Sequence, residues 1–172
     1  DDGSGSVSVL EIMESMSKAK KAGIGPKRSV VGIWFCGEEK GLLGSRYYVN
    51  HPLVPLEKTI ADVNIDMVGR IDSQHLDKKE YVYSIGSGKI SKDLYDLNEA
   101  VNTKYSNLTL DYTYDDEKDP NRFYYRSDHY NFAEKGIPIV FFFNGVHPDY
   151  HRVTDTIERI DFLNSFRFLF RW

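Results

Sequence analysis

Short apolar runs alternate with amphipathic stretches along most of this chain, a pattern typical of a sheet whose strands are joined by helices. The apolar runs predict buried strands at 30–36, 59–66, 81–85 and 137–143, and alternation predicts a further edge strand at 108–114. Apolar residues at helical spacing predict helices at 6–22, 42–50, 90–101 and 127–135, and from 161 onward. We therefore predict an α/β protein, a three-layer αβα fold with a mixed, mostly parallel central sheet.

The composition is ordinary for a globular protein and bounds its class. The chain has 172 residues, enough for one domain with a hydrophobic core, and its net charge is -4. This charge gives no electrostatic reason to expect a nucleic acid partner, and no apolar run approaches the ~20 residues of a membrane span. Cys36 is the single cysteine, which excludes an internal disulfide.

Two adjacent carboxylates, Glu38 and Glu39, directly follow the apolar run at 30–36. An unpaired charge buried at the end of a strand is unfavourable, and a metal ion is the usual compensation. Because adjacent side chains point in different directions, one carboxylate can bind the metal while the other transfers a proton. Glycines at 37, 41 and 44 permit a tight turn into the next helix. Taken alone, this stretch favours a solvated Glu-Glu-Lys start of a helix over a metal site.

Other residues of the metal-binding types stand near strand ends or at the start of a helix. They are Asp1 and Asp2 before the first helix, Asp66 after the strand at 59–66, and the stretch 147–155 after the last strand. Binding sites in parallel sheets form beyond the carboxyl ends of the strands, so these side chains can meet at one edge. Singly, Asp66 is more often a helix cap and His151 a surface histidine. Their occurrence together at strand ends raises a metal site to an equal alternative to these separate explanations.

Five motifs occur in this order: Asp-Asp-Gly-Ser-Gly at a helix start, Gly-Glu-Glu-x-Gly-Leu-Leu-Gly-Ser, Asn-x-Asp-Met-Val-Gly-Arg, Arg-Ser-Asp-His and Asp-Tyr-His-x-x-x-Asp-Thr. Together they resemble the co-catalytic two-zinc aminopeptidases, a peptidase family that includes glutamate carboxypeptidases and is related to glutaminyl cyclases. The resemblance extends from Asp1 to about Ile160. It implies a zinc exopeptidase-like fold and two zinc ions in the intact enzyme.

The resemblance implies a role for each matching residue. Asp1 resembles the carboxylate that bridges the two zinc ions, and Asp66 resembles a ligand of one of them. Glu39 and His151 resemble the remaining protein ligands of the other zinc. Glu38 resembles the general base, and a bridged zinc pair lowers the pKa of a shared water so that it becomes a nucleophile near neutral pH.

Four further residues have supporting roles by the same resemblance. Tyr150 resembles the group that hydrogen-bonds the tetrahedral oxyanion, and Arg126 resembles an arginine that polarises the carbonyl or positions the ligands. Asp155 is a candidate to orient the imidazole of His151, and a helix cap is the equal alternative for it. Asp2 is expected to shape the turn that presents the preceding aspartate.

One ligand of the family has no counterpart in this chain. The family supplies a histidine to the second zinc from a motif upstream of Asp-Asp-Gly-Ser-Gly, and four histidines stand outside that motif: His51, His75, His129 and His147. We expect the last two to be packing or loop histidines. Residues 1–172 are therefore expected to be the C-terminal part of a single catalytic domain that lacks its N-terminal strands. The Glu39–His151 zinc site is expected to persist while the other is weakened, which would leave the chain alone inactive.

The predicted function is removal of the N-terminal residue from peptides with a free N-terminus, by a metal-activated water. A carboxypeptidase or a glutaminyl cyclase of the same fold is the alternative within this chemistry. A non-catalytic interaction domain is the alternative outside it. Because relatives in this family are commonly exported, the resemblance implies a secreted or periplasmic protein.

Overall fold

Within residues 2–162, which the computed structural model describes, the sheet consists of β1 (Asp62–Ile65), β2 (Tyr81–Ile85), β3 (Thr109–Asp111) and β4 (Ile139–Phe143). The strand order is β1-β4-β2-β3. β1 pairs with β4 and β2 with β3 in parallel, whereas β2 and β4 are antiparallel. The predicted mixed, mostly parallel sheet is confirmed, with β3 at an edge.

The α-helices of this part of the chain are α1 (Gly3–Lys21), α2 (Leu43–Asn50), α3 (Lys92–Val101) and α4 (His129–Ala133). Each coincides with a predicted helix. α1 begins before the predicted Ser6 because the Asp2 side chain accepts a hydrogen bond from the Gly5 amide and caps the first turn. The predicted helix from 161 onward falls on 163–172, outside the described residues. None of the described helices has the length and apolar character needed to cross a membrane.

Alternation along β4 divides the hydrophobic core between the two faces of the sheet. Val140 and Phe142 belong to the cluster on which α1 packs. Phe141 and Phe143 belong to an aromatic cluster on the opposite face, where Ile139 also packs in a cluster with α2 and α4. All five residues of β4 are buried. Helices therefore cover both faces of the sheet, which confirms the three-layer fold.

The predicted strand at 30–36 is wrong for the described structure, since this run forms no regular secondary structure. Val31 and Trp34 are 56% and 48% exposed. A strand needs a neighbour to pair its backbone groups, and no strand of residues 2–162 lies beside this run. Instead, the run, the outer side of β1 and one side of α1 border a cavity of about 1540 Å³. Val63 on β1 is 55% exposed there.

Candidate active site

Three segments bring most of the predicted site residues to one edge of the sheet. β1 and β4 run in the same direction, so Asp66 and Asn144, which follow them, lie at the same edge. The amide of Asn144 donates to the carbonyl of Met67 at 3.2 Å and joins the two strand ends. The third segment is the short 3₁₀ turn Glu38–Lys40. The large cavity is lined at this edge by Asp2, Glu38, Glu39, Asp66, Arg126, Tyr150 and His151.

The turn that carries Glu38 and Glu39 depends on glycines. Gly37 and Gly41 flank it with φ angles of 71° and 97°, in the left-handed region that favours glycine. Gly44 permits a close approach of α2, because a Cβ atom there would lie 2.7 Å from both the backbone nitrogen and oxygen of Cys36. The predicted tight turn into a helix is confirmed.

The side chains of His151 and Glu39 face each other across the site. Nε2 of His151 lies 3.0 Å from Oε1 of Glu39, and each side chain is about half exposed to solvent. Two ligands bonded to one zinc ion at about 2.0–2.1 Å in tetrahedral geometry lie about 3.3 Å apart, so this pair can share an ion. His151 has a φ angle of 57°, a conformation that a non-glycine residue keeps only when its surroundings hold it.

Tyr150 and Arg126 form the second pair of the site. The ring of Tyr150 stacks on the imidazole of His151 with 3.8 Å between ring centroids. Nη2 of Arg126 donates a hydrogen bond to the hydroxyl oxygen of Tyr150 at 3.3 Å. The guanidinium also lies 5.1 Å from the centre of the Phe123 ring. Burial raises the pKa of Tyr150, against the opposing effect of Arg126, so its hydroxyl stays protonated near neutral pH.

Several carboxyl groups share this edge of the sheet and shift one another's protonation. Burial first, and then the charges of Glu39 and Asp66, raise the pKa of Glu38 to about 7. Burial and the charge of Asp66 raise the pKa of Asp2 to about 8. Burial also raises the pKa of Asp66 itself. A bound cation would relieve the repulsion among these groups and lower their pKa values.

Asp66 is held by two polar residues whose roles were not predicted. Oγ of Ser127 donates to Oδ2 of Asp66 at 2.8 Å, and Nδ2 of Asn64 donates to Oγ of Ser127 at 2.9 Å. Both residues lie within motifs of the sequence, Arg-Ser-Asp-His and Asn-x-Asp-Met. Their place in those motifs beside a candidate ligand is the signal that could have identified them.

Asp155 has a different partner from the predicted one. Its Oδ1 accepts a hydrogen bond from Arg70 at 2.6 Å, and its Oδ2 lies 3.9 Å from Nε2 of His147. The carboxylate is thus directed into an ion-pair cluster, and the predicted contact with the imidazole of His151 is not formed. The resemblance suggested the contact with His151, whereas the ion pair with Arg70 decides the orientation of Asp155.

The two histidines predicted to be packing or loop residues, His129 and His147, are both buried. The ring of His129 stacks on Phe141 with 4.6 Å between centroids, and its Nε2 lies 2.8 Å from the carbonyl oxygen of Tyr124. Burial lowers the pKa of His129 to about 3, so its ring is neutral at pH 7. This prediction is confirmed, and neither histidine is needed to explain the site.

The residues present fit a zinc ion in their donor chemistry but do not form a complete ligand set. Within residues 2–162, no group of three or more histidine, cysteine, aspartate or glutamate side chains is arranged to hold a metal. Asp1, the predicted bridging ligand, lies outside the described residues. Glu39 and His151 nevertheless offer the carboxylate oxygen and imidazole nitrogen that zinc prefers, and Asp66 offers a further carboxylate at the same edge.

Fold and site together define a class: an α/β protein with facing carboxylate and histidine side chains beyond the carboxyl ends of parallel strands. The profile of Peptidase family M28 matches residues 1–167. The chain therefore belongs to peptidase family M28, as its five motifs predicted.

Several proteins similar to this chain are named aminopeptidases. A probable leucine aminopeptidase of Arthroderma benhamiae is 29% identical over 167 residues, covering 94% of this chain and 42% of that protein. The LapA aminopeptidase of Legionella pneumophila has the same fold, with a TM-score of 0.71 at 23% identity over 98% of this chain and 43% of that one. BSAP, a zinc aminopeptidase from Bacillus subtilis, has a TM-score of 0.57 at 28% identity, over 77% and 31% respectively. The chain spans less than half the length of each.

Proposed function

We propose that the protein containing this chain is a zinc-dependent aminopeptidase that hydrolyses the N-terminal peptide bond of its substrates. The observation that carries the proposal is the 3.0 Å pairing of His151 with Glu39, directly beside Glu38. Membership of a peptidase family and the names of the similar proteins support it. Because this chain spans less than half of those relatives, the activity is proposed for the full-length protein.

Glu39 and His151 would hold one zinc ion, and Asp66 and Asp1 would supply further carboxylate ligands for zinc. When bound, zinc supplies a Lewis acid that polarises the substrate carbonyl and makes water nucleophilic near neutral pH. The raised pKa values of Asp2 and Asp66, caused first by burial, support a cation at this edge, because a cation would stabilise the charged form of both carboxyls.

Glu38 is the proposed general base. A proton-transfer group works best when its pKa lies near the operating pH, because it can then both accept and return a proton. In the metal-free site, burial and the neighbouring carboxylates raise the pKa of Glu38 to about 7, well above that of an exposed glutamate, which supports this role. Its carboxylate would take a proton from the attacking water and then donate it to the nitrogen of the departing peptide.

Tyr150 is proposed to stabilise the oxyanion that forms when the scissile carbonyl carbon becomes tetrahedral. Its hydroxyl would donate a hydrogen bond to that oxygen, and such donors act most strongly when they are already oriented. Arg126 supplies the orientation, because its Nη2 donates to the same hydroxyl oxygen and leaves the O–H free to point at the substrate. The positive charge of Arg126 would also favour the developing negative charge.

The alternatives are a carboxypeptidase, a glutaminyl cyclase or a binding domain with this fold. A binding domain has no need of a half-buried carboxyl with a raised pKa beside a ligand pair, so the position of Glu38 beside Glu39 and His151 argues against it. The similar proteins named as aminopeptidases favour aminopeptidase chemistry over the other two enzymes.

A pair of peptides that differ only at the N-terminus tests the proposal. The full-length protein is incubated with zinc and with a short apolar peptide, either free or acetylated at its N-terminus. We expect hydrolysis of the free peptide alone, abolished by a chelator and restored by zinc. Equal cleavage of the acetylated peptide would indicate a carboxypeptidase, and zinc binding without any turnover would indicate a cyclase or a binding domain.

A further inference from the structure

One guanidinium joins two carboxylates of the segment that follows β4. Nη1 of Arg70 donates to Oδ1 of Asp155 at 2.6 Å, and Nη2 of Arg70 donates to Oδ2 of Asp149 at 2.7 Å. The three side chains are only 15%, 14% and 11% exposed. Charge-assisted hydrogen bonds in a partly dry setting are strong, and a planar guanidinium can serve two carboxylates at once in a way that an ammonium cannot.

The two carboxylates bracket a turn that contains Tyr150 and His151. The turn is closed from within, because Oγ1 of Thr154 donates to Oδ1 of Asp149 at 2.7 Å. The backbone amide of residue 152 donates to the carbonyl of Asp149, and that of Asp155 donates to the carbonyl of residue 152. Asp149 and Asp155 therefore mark the two ends of one compact unit, and Arg70 attaches both ends to the rest of the protein.

Arg70 itself emerges from a firmly held stretch of backbone just beyond β1. The neighbouring Gly69 packs so closely on α1 that a Cβ atom there would lie 2.6 Å from Cβ of Ser4. The carbonyl of Gly69 accepts the amide of Asp161 at 2.8 Å. The same stretch begins with Asp66, so Arg70 connects the position of Asp66 to that of the Asp149–Asp155 turn.

We propose that Arg70 is a positioning residue for the active site, which holds the Asp149–Asp155 turn so that His151 meets Glu39 and Tyr150 meets Arg126. The left-handed backbone of His151 is a conformation that the surroundings must maintain. The two ion pairs of Arg70 supply that restraint from the side away from the substrate. The effect on catalysis rests on the function proposed above, whereas the restraint on the turn does not.

The experiment compares three variants of the full-length protein. Arg70→Met removes both ion pairs, and Arg70→Lys keeps the charge but not the two-armed geometry. Arg152→Met is the matched control, because Arg152 is an exposed arginine of the same turn that makes no ion pair among the described residues. The readouts are kcat and KM for the free peptide, zinc affinity by competition with a chromogenic chelator, and hydrogen exchange of the amides at 147–155.

We expect Arg70→Met to lower zinc affinity by about 10–100-fold, the usual effect of losing a contact that orients a metal ligand. Its kcat should fall while KM changes little, because Tyr150 and the ligands act on the transition state. Amides at 147–155 should exchange faster than in the wild type, while those of β4 keep their protection. Arg70→Lys should lie between wild type and Arg70→Met, and Arg152→Met should match the wild type.

Equal zinc affinity and equal exchange at 147–155 in Arg70→Met and Arg152→Met would overturn the proposal. A uniform rise in exchange across the whole chain, with an unchanged ratio of kcat to KM, would assign Arg70 to general stability and would overturn it as well. If Arg70→Met does not fold, Asp155→Asn, which weakens one of the two pairs, must show the same changes at smaller size. Faster exchange confined to 147–155 in a protein that hydrolyses no peptide would support the restraint and contradict only the proposed function.

Discussion

The side chain of Asp2 accepts a hydrogen bond from the backbone amide of Met67 at 3.0 Å, while the same oxygen caps α1 through the amide of Gly5. One carboxyl group thereby joins the start of α1 to the residue that follows Asp66. Because burial beside Asp66 raises the pKa of Asp2 to about 8, the group is mostly neutral at pH 7 in the metal-free site. Its role in the fold therefore depends on its oxygen as an acceptor rather than on its charge.

Substitution of Asp2 distinguishes the role of its side-chain oxygen as a hydrogen-bond acceptor from the role of its charge. Asn keeps an oxygen that can accept both hydrogen bonds, whereas Ala removes it. We expect Asp2→Ala to lower the free energy of unfolding of the metal-free protein by about 1–2 kcal/mol, as for other helix caps. Asp2→Asn should have a clearly smaller effect in urea denaturation. Equal losses in the two variants would mean that the oxygen does not anchor this junction.

Replacing Glu38 by Gln removes the proposed base while keeping the size of the side chain. We expect Glu38→Gln to lower kcat by about 10²–10⁴-fold, the usual contribution of a general base, with little change in zinc affinity. Steady-state kinetics and chelator competition measure the two quantities. The control is Glu14→Gln on the exposed side of α1, where Glu14 pairs with Lys18. A Glu38→Gln variant as active as the control would exclude Glu38 as the base.

Removing an imidazole ligand should reduce zinc affinity more than removing a residue that only orients a ligand. We expect His151→Gln to reduce zinc affinity by more than the ~10–100-fold typical of outer contacts. His51→Gln is the matched control, since the exposed ring of His51 stacks on Tyr47 at the end of α2. Unchanged zinc affinity in His151→Gln would remove His151 from the ligand set.

The dependence of stability on pH tests the burial of His129. Its pKa of about 3 in the folded protein lies far below the ~6.5 of an exposed histidine. Between these two values the unfolded chain binds a proton that the folded chain does not, so the free energy of unfolding falls as the pH drops from about 6.5 toward 3. This contribution is fully present above pH 6.5, and its slope is at most about 1.4 kcal/mol per pH unit.

The variant His129→Phe should remove that slope while keeping an aromatic ring against Phe141. We expect it to lose less stability than the wild type between pH 6.5 and pH 4.5 in chemical denaturation. Carboxyl groups that titrate in the same range are common to both proteins, so the difference between their two slopes isolates His129. Parallel declines would show that the imidazole is already accessible to protons in the folded state.

Elements whose partners lie within this chain could be predicted from sequence. β2 and β4 are predominantly apolar because both faces of the sheet are covered, and both were identified at 81–85 and 137–143. The run at 30–36 has the same apolar character, yet it pairs with no strand among the described residues. Apolar character predicts burial, whereas a strand also requires a neighbour, which the pattern of one segment does not contain.

The candidate site likewise contains features that could be predicted from the sequence and contacts that could not. The common position of Glu38, Glu39, Asp66 and His151 at one edge of the sheet could be predicted because their motifs occur together in order. The place of Ser127 in a motif beside a candidate ligand was a usable signal, but its partner and those of Arg70 could not be predicted, because these contacts join residues 61 and 79 positions apart. Such contacts depend on how the sheet brings distant turns together.

The outer side of β1 has a consequence for handling these 172 residues as an isolated protein. Exposed backbone donors and acceptors on an edge strand can pair with strands of other molecules. A neighbouring cavity lined by apolar side chains strengthens that tendency. The isolated polypeptide should therefore form oligomers or precipitate as its concentration rises. The oligomeric state of the isolated polypeptide should be measured by sedimentation over a range of concentrations before any assay. Self-association in that experiment would result from pairing at the exposed edge of β1 and would not report on the chemistry of the site.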